Sequence, residues 1–246
     1  MKRLFFALLA LLLVVAGTQV WAASDAVVTE RRQVAKFERV KLMGSPKIKY
    51  MQGNQVKVEV RGHKSIVKRI ITRVEGNQLV VSVKSGTFNF TNKLDKVEVY
   101  VTSPDLVEVE LWGSGDFESK GHVDTDYLKV TLKGSGDIDF KDIICDKLSA
   151  TVVGSGDLDI EKLESLSSEV ELVGSGDIEI SQQRVKKTNV ELKGSGDIKM
   201  SLRDCGTIDC RVTGSGDITL RGDVRKVNQY SRGSGDVNTA GLTIRK

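Results

Sequence analysis

The sequence predicts an all-β chain wound as a single-stranded parallel β-helix, a β-solenoid with about 20 residues per coil. Three observations predict it. The tetrapeptide Gly-Ser-Gly-Asp occurs seven times, beginning at Gly113, Gly134, Gly154, Gly174, Gly194, Gly214 and Gly233, at spacings of 21, 20, 20, 20, 20 and 19. Apolar and polar residues alternate strictly on both sides of each tetrapeptide, a period of two that strands use and amphipathic helices cannot. The 246 residues hold 24 glycines, only two prolines and 5% aromatics, which excludes collagen and a proline-rich linker and calls for an aliphatic core.

The chain opens on a leader. Met1-Lys2-Arg3 is basic, Leu4 to Ala16 is a 13-residue apolar run, and Val20-Trp21-Ala22 places small residues before a cleavage site after Ala22. This is the pattern of a secretory signal peptide over residues 1–22, and the run is short of the roughly 20 residues needed to span a bilayer. The expected product is an exported mature chain, periplasmic or extracellular, with no integral membrane span.

Residues 23–106 are read as degenerate coils and a cap of the same solenoid. Val40 to Tyr50 contains Gly44-Ser45 followed by Ile48 and Tyr50, with Pro46-Lys47 in place of Gly-Asp. Ser85-Gly86-Thr87-Phe88 followed by Phe90 also fits, so Gly44 and Lys84, 40 residues or two periods apart, would both take position 1. Gln52-Gly53-Asn54-Gln55 and Glu75-Gly76-Asn77-Gln78 read as turns between strands. A separate small β-domain ending near Ser103-Pro104-Asp105 is the alternative. Ala23 to Arg39 is the candidate cap, and unpaired strand edges at the solenoid ends would allow end-to-end self-association.

Residues 107–246 are the regular coils. With the first Gly as position 1, position 5 carries Phe117, Ile138, Leu158, Ile178, Ile198, Ile218 and Val237. Position 7 carries Phe140, Ile160, Ile180, Met200 and Leu220; position 17 carries Val109, Val130, Ala150, Val170, Val190 and Cys210. Stacking like upon like buries these files as one column, with successive coils pairing in parallel about 4.8 Å apart. The winding is expected to be right-handed, as parallel crossovers are. Each unit reads as strand, Gly-Ser-Gly corner, strand and connector. Glycine suits a corner whose backbone angles and stacking exclude a Cβ, while Ser and Asp can bond turn amides.

The stacked aspartates Asp116, Asp137, Asp157, Asp177, Asp197, Asp217 and Asp236 would repel by about 1 kcal/mol in water and nearer 3 kcal/mol at an effective dielectric of 20, for neighbours about 5 Å apart. Turn amides and serine hydroxyls are the expected offset; a row of bound Ca²⁺ is the alternative. Cys145, Cys205 and Cys210 form no disulfide framework. Cys205–Cys210 could close a small loop, but Cys210 falls in the core register and reads as a small buried hydrophobe.

Chemistry that occurs once is hard to find. Asp139, Asp159 and Glu179 share position 6, and Glu171 and Glu191 share position 18. These are the outer-face carboxylates a polysaccharide-active β-helix enzyme would use, and also the solvent positions of alternating strands. His63 and His122 stand apart from any ligand cluster. No catalytic, cofactor-binding or metal-ligating residue is assigned, and no enzyme is expected. A net charge of +4 without a basic, aromatic-rich block gives no support to nucleic-acid binding.

With Phe37-Glu38-Arg39-Val40, a Gln52-Gly53 turn, Val56–Val60, Leu79–Val83, Val97–Thr102 and repeated Gly-Ser-Gly-Asp-Ile units, the chain resembles the putative auto-transporter adhesin, head GIN domain family. The resemblance covers Phe37 to the C-terminus. It implies an exported bacterial β-helical protein, periplasmic or envelope-associated, and supplies no catalytic residues. The ending at Ile244-Arg245-Lys246 leaves no room for a membrane barrel, so self-secretion is not expected. The reading is an adhesin-like binding or scaffold protein, its partner an unknown envelope protein or polysaccharide.

Overall fold

The computed structural model describes residues 26–84 and 96–245. The leader and the corner expected at Ser85-Gly86-Thr87-Phe88 and Phe90 lie outside the described residues. Three quarters of the described chain is strand, with one short helix. Its buried side chains, from Phe37 to Val237, form a single aliphatic core.

From residue 107 on, space follows sequence. Strands β9 (Asp116–Gly134), β10 (Ile138–Gly154), β11 (Leu158–Gly174), β12 (Ile178–Gln183), β13 (Lys187–Gly194), β14 (Ile198–Gly214), β15 (Ile218–Gly233) and β16 (Val237–Ile244) pair in parallel, each coil on the next. Ile138 stands opposite Leu158, Leu158 opposite Ile178 and Ile178 opposite Ile198, all in one buried file. The β-solenoid is therefore the fold. The 21-residue first interval is absorbed by a register shift between Phe140 and Asp142, and the 19-residue last one by a shift between Leu202 and Cys205.

The connector is also strand, which the sequence reading missed. In β10 the inward residues are Ile138 and Phe140, then Ile143 and Cys145, then Leu148, Ala150 and Val152. Two adjacent outward residues, Lys141-Asp142 and Asp146-Lys147, interrupt the alternation and separate three inward runs. Each coil thus has three short sides closed by the Gly-Ser-Gly corner.

At that corner a glycine is obligatory. Gly174 has φ +141°, and a Cβ there would lie 2.0 Å from the Gly154 carbonyl oxygen. That oxygen is occupied: the amides of Ser175 and Gly176 donate to it at 2.9 and 3.2 Å. The corner stacks backbone on backbone.

The N-terminal part is ordered differently. β2 (Arg39–Met43) and β3 (Lys47–Gln52) form a coil that stacks on β8 (Glu108–Gly113) and β9, and the Gly44 carbonyl accepts the Gly115 amide at 2.8 Å. On their other side lie β6 (Gln78–Val83) and β7 (Glu98–Ser103). The coil earlier in sequence is therefore sandwiched between two later ones. The register of β6 on β2 is 39 residues, not 40, because Arg39 faces Gln78. The two-residue turn Gly76-Asn77 joins β5 (Ile70–Glu75) to β6 and sets their antiparallel register, Glu75 opposite Gln78. Antiparallel strands close this end: β4 (Lys57–His63) on β7, β1 (Val27–Arg32) on β4, and β5 on β6. Helix α1 (Lys64–Val67) crosses the end and seals the core with Ile66 and Val67, both fully buried.

At the opposite end the core positions turn polar. Gln229 and Ser231 stand against Cys210 and Val212 and are exposed. Arg245 ties the last strand back to Asp204 and Asp223 at 3.1 and 2.8 Å.

Candidate binding surfaces

The aspartate column serves the coil. Each carboxylate takes the backbone amide of the next coil's aspartate: Asp177 N–H donates to Asp157 Oδ1 at 2.8 Å, Asp197 to Asp177 at 2.9 Å, Asp217 to Asp197 at 3.0 Å and Asp236 to Asp217 at 2.8 Å. Asp236, last in the column, accepts the amide of Val237 at 2.8 Å. Charge-assisted bonds of this kind offset the repulsion that stacked carboxylates create. Among the described residues no group of three His, Cys, Asp or Glu is placed to hold a metal ion.

Beside that column runs the position-6 file, in which Glu118, Asp139, Asp159 and Glu179 stand in register before Lys199 ends it. Burial, reinforced by Glu179 and Glu161, pushes the Asp159 carboxyl above its ordinary value. Burial also raises Asp139, with Asp159, Asp137 and Glu118 adding to it and Lys47 opposing. Burial acts on Glu118 too, but Lys47 and Lys120 outweigh it and bring Glu118 below its usual range. The file repeats a carboxylate at one height in four successive coils, lowered at Glu118 beside its lysines and raised at Asp139 and Asp159.

Glu171 and Glu191 lie on another side of the coil, where Lys193 bridges them at 2.9 and 3.2 Å. The structure therefore separates the two sets of acids that the sequence singled out. His122 Nδ1 lies 3.2 Å from Asp142 Oδ2, an oxygen that Lys162 shares at 3.2 Å. His63 sits at the end of β4, beside the cap.

The third side carries another candidate surface. Residues 149–151 and their counterparts in the next four coils line a shallow trough of about 700 Å³. Its two outward files read Ser149, Glu169, Asn189, Asp209, Asn228 and Thr151, Glu171, Glu191, Arg211, Tyr230. The side chains beneath, Ala150, Val170, Val190 and Cys210, are small, whereas position 7 holds Phe140, Ile160, Ile180, Met200 and Leu220. Small core residues let this sheet sink toward the axis. Asn228 donates to Asp209 at 2.6 Å, and the Arg211 guanidinium lies 5.7 Å from the Tyr230 ring. The sequence reading noted Glu171 and Glu191 but not the file two residues upstream. Its signal was outward polar residues recurring at position 16.

All three cysteines are free and buried. Burial pushes the Cys145 and Cys210 thiols up to about 12, so both sit in the core as inert hydrophobes, as the register implied for Cys210. Cys205 joins a buried polar knot in which Ser168 and Gln182 bond Thr188 at 3.0 and 2.8 Å. This network satisfies polar residues at core positions of the middle coils.

The profile of the family described as putative auto-transporter adhesin, head GIN domain, matches residues 36–198 and 162–246. The chain belongs to this family. Among solved structures it is similar to a putative adhesin from Bacteroides fragilis NCTC 9343, with 25% identity, a TM-score of 0.79 and coverage of 87% of this chain and 97% of that one. A putative adhesin from Parabacteroides distasonis ATCC 8503 has 22% identity and a TM-score of 0.71, with the same 87% and 97% coverage. A protein from the same organism described as a putative lipid binding protein has 22% identity, a TM-score of 0.69 and again 87% and 97% coverage. The last two likenesses show the fold alone. Comparison with curated proteins gives no match.

Proposed function

We propose that this head GIN domain chain is an exported, non-catalytic adhesin-type module of the bacterial envelope, and that the trough over residues 149–230 is its binding surface. One observation carries the reading. Five coils present hydrogen-bonding side chains of both charges in two straight files, ending at the Arg211–Tyr230 pair, over an open floor. An open, polar trough suits an extended polymer whose repeating groups meet repeating side chains; a small-molecule site would be enclosed and mostly apolar. Four carboxylates, Glu169, Glu171, Glu191 and Asp209, against the Arg211 guanidinium make the trough net acidic, which favours an uncharged polysaccharide or a polypeptide strand over a polyanion. The family's description as adhesins agrees with this. The lipid-binding description attached to one structural neighbour rests on fold likeness alone and enters no part of it.

The test is binding to arrayed envelope glycans and to envelope proteins pulled down by the chain. Alanine at Asn189, Asp209 and Tyr230 together is expected to abolish capture while the melting temperature holds. Capture unaffected by these changes refutes the trough. The position-6 acids define the second reading, an enzyme: release of product from a polysaccharide, lost in Asp159→Asn, would establish it in place of the first. Self-association would use the open C-terminal edge, formed by β16 and the second half of β15, and light scattering reads it directly.

A further inference from the structure

Charge along this chain is segregated. Residues 26–106 carry 16 Lys and Arg against 7 Asp and Glu, whereas residues 107–216 carry 13 against 22. The two stretches have net charges of +9 and −9, and the overall +4 conceals both. Some cations of the coils are bound to acids, as in Lys129–Glu108, Lys147–Glu169 and Lys162–Asp142 at 2.8, 2.9 and 3.2 Å. At the N-terminal end Arg31, Arg61, Lys64 and Lys68 have no ion-pair partner within 4.0 Å among the described residues.

These four sit on the outermost elements of this end, Arg31 and Arg61 on β1 and β4 with Glu59 on the same face, Lys64 and Lys68 at α1. Arg61 stands opposite Thr29 and Arg31 opposite Glu59 in the β1–β4 pair, and the Lys64 amide donates to the Ala26 carbonyl at 3.0 Å. Ile66 and Val67 point into the core, so Lys64 and Lys68, four residues apart and both exposed, face away from it. Val27, opposite His63, is 59% exposed among them. Basic side chains around an exposed aliphatic residue match the interface of an anionic bilayer, where the charges meet headgroups and the valine meets the acyl boundary.

We infer that this basic cap docks on a membrane surface rich in anionic phospholipid, standing the solenoid on its N-terminal end with the trough free. The acidic coils supply the orientation. A solenoid lying flat would bring a −9 body against a negative surface, while standing keeps it beyond the Debye length of about 8–10 Å.

Co-sedimentation of the chain from Ala23 onward with mixed phosphatidylglycerol–phosphatidylcholine vesicles tests this. Binding is expected at low salt, lost at high salt and absent with phosphatidylcholine alone. Each neutralised cap charge should weaken binding about fivefold, so Lys64→Gln with Lys68→Gln should cost about 25-fold. Arg225→Gln with Lys226→Gln, at the other end, should change it little. Both pairs are exposed, and unchanged melting temperatures will show that the variants fold. Equal binding to neutral vesicles, no loss in the cap variant, or equal losses in both variants would overturn the proposal. So would cap-dependent binding to heparin without binding to vesicles. Trough variants leave vesicle binding intact, so failure here is separable from failure of the adhesin reading.

Discussion

The regular coils and the N-terminal part bury the same kind of aliphatic core by different means. From residue 107 on, each segment lies on the one a period earlier, and backbone meets backbone at a glycine corner. Before it, the coil of β2 and β3 lies between strands that come later in sequence, and antiparallel strands close the end. A parallel stack has no internal stop, because every coil offers the next an unpaired edge. The N-terminal part supplies the stop by reversing strand direction. The C-terminal end supplies a weaker one by filling core positions with Gln229 and Ser231. Repetition builds the stack, and breaking the repetition ends it.

The largest test of this contrast is a single methyl group. In Gly174→Ala the new Cβ would fall 2.0 Å from a backbone oxygen that already accepts two amides, at φ +141°. We expect a loss of more than about 4 kcal/mol, or no folded protein, because neither the backbone nor its neighbour can move alone. Gly76→Ala, in the β5–β6 turn at φ +61° with nothing within 4 Å, should cost only about 1–2 kcal/mol. Urea melts of the two variants would break the comparison if they came out alike.

Next in size is the seam between the regions. Tyr50 stacks on Phe117 across it, with ring centroids 6.0 Å apart, and Phe117 meets Phe140 of the next coil in a tilted pair at 5.4 Å. Phe117→Ala should cost about 3–5 kcal/mol, the usual range for a buried ring. It should also uncouple the two parts, giving two thermal transitions in place of one. A single transition at lower temperature would mean that the core stays cooperative across the seam.

How far the sequence could be read follows the same division. Ile138, Leu158, Ile178 and Ile198 are legible as one file because an identical register recurs and only one alternation fits it. The connector side of the coil was not legible. Its inward residues drift from Ile143 and Cys145 to Leu163 and Ser165, and then to Gln182 and Val185, while bulges shift the count. Polar residues at these positions satisfy one another only in three dimensions, as Ser168, Gln182 and Thr188 do. Gly44 announced its corner, but the interleaving of β2–β3 with β6–β7 did not show, because strand order depends on which edges remain free, and no local pattern records that. Of the trough, the files were present in the sequence and the concavity was not, since it arises from small residues beneath the sheet.

Smaller effects separate the two roles of the aspartate column. Asp177→Ala removes the acceptor of the Asp197 amide, a 2.9 Å bond, and should cost about 0.5–1.5 kcal/mol. Asp177→Asn keeps an oxygen there and removes a charge, so it should lie within about 0.5 kcal/mol of the parent. If both variants are equally destabilised, charge and not the hydrogen bond is what the column requires.

The smallest effect has opposite signs in the two regions. Asp159 has a raised carboxyl, from burial and the neighbouring Glu179 and Glu161. The folded state then holds its proton more tightly than the unfolded chain, so ionisation destabilises the fold as pH rises from the ordinary Asp value through the raised one. Asp159→Asn should therefore be more stable than the parent at neutral pH, with the difference fading as pH falls toward 4. In the N-terminal part, hydrogen bonds from Lys49 and Tyr100 hold Glu98 below its ordinary value. Its contribution is present above the usual Glu range and is lost as pH falls through the lowered value. Glu98→Gln should be less stable than the parent at neutral pH and should converge with it only in more acidic solution. Both groups are partly exposed, so each difference should stay below about 1 kcal/mol. Melting curves at neutral and acid pH would show the two variants departing from the parent in opposite directions. The same sign for both would mean that the stacked acids of the coils are as well compensated as the paired acid of the cap.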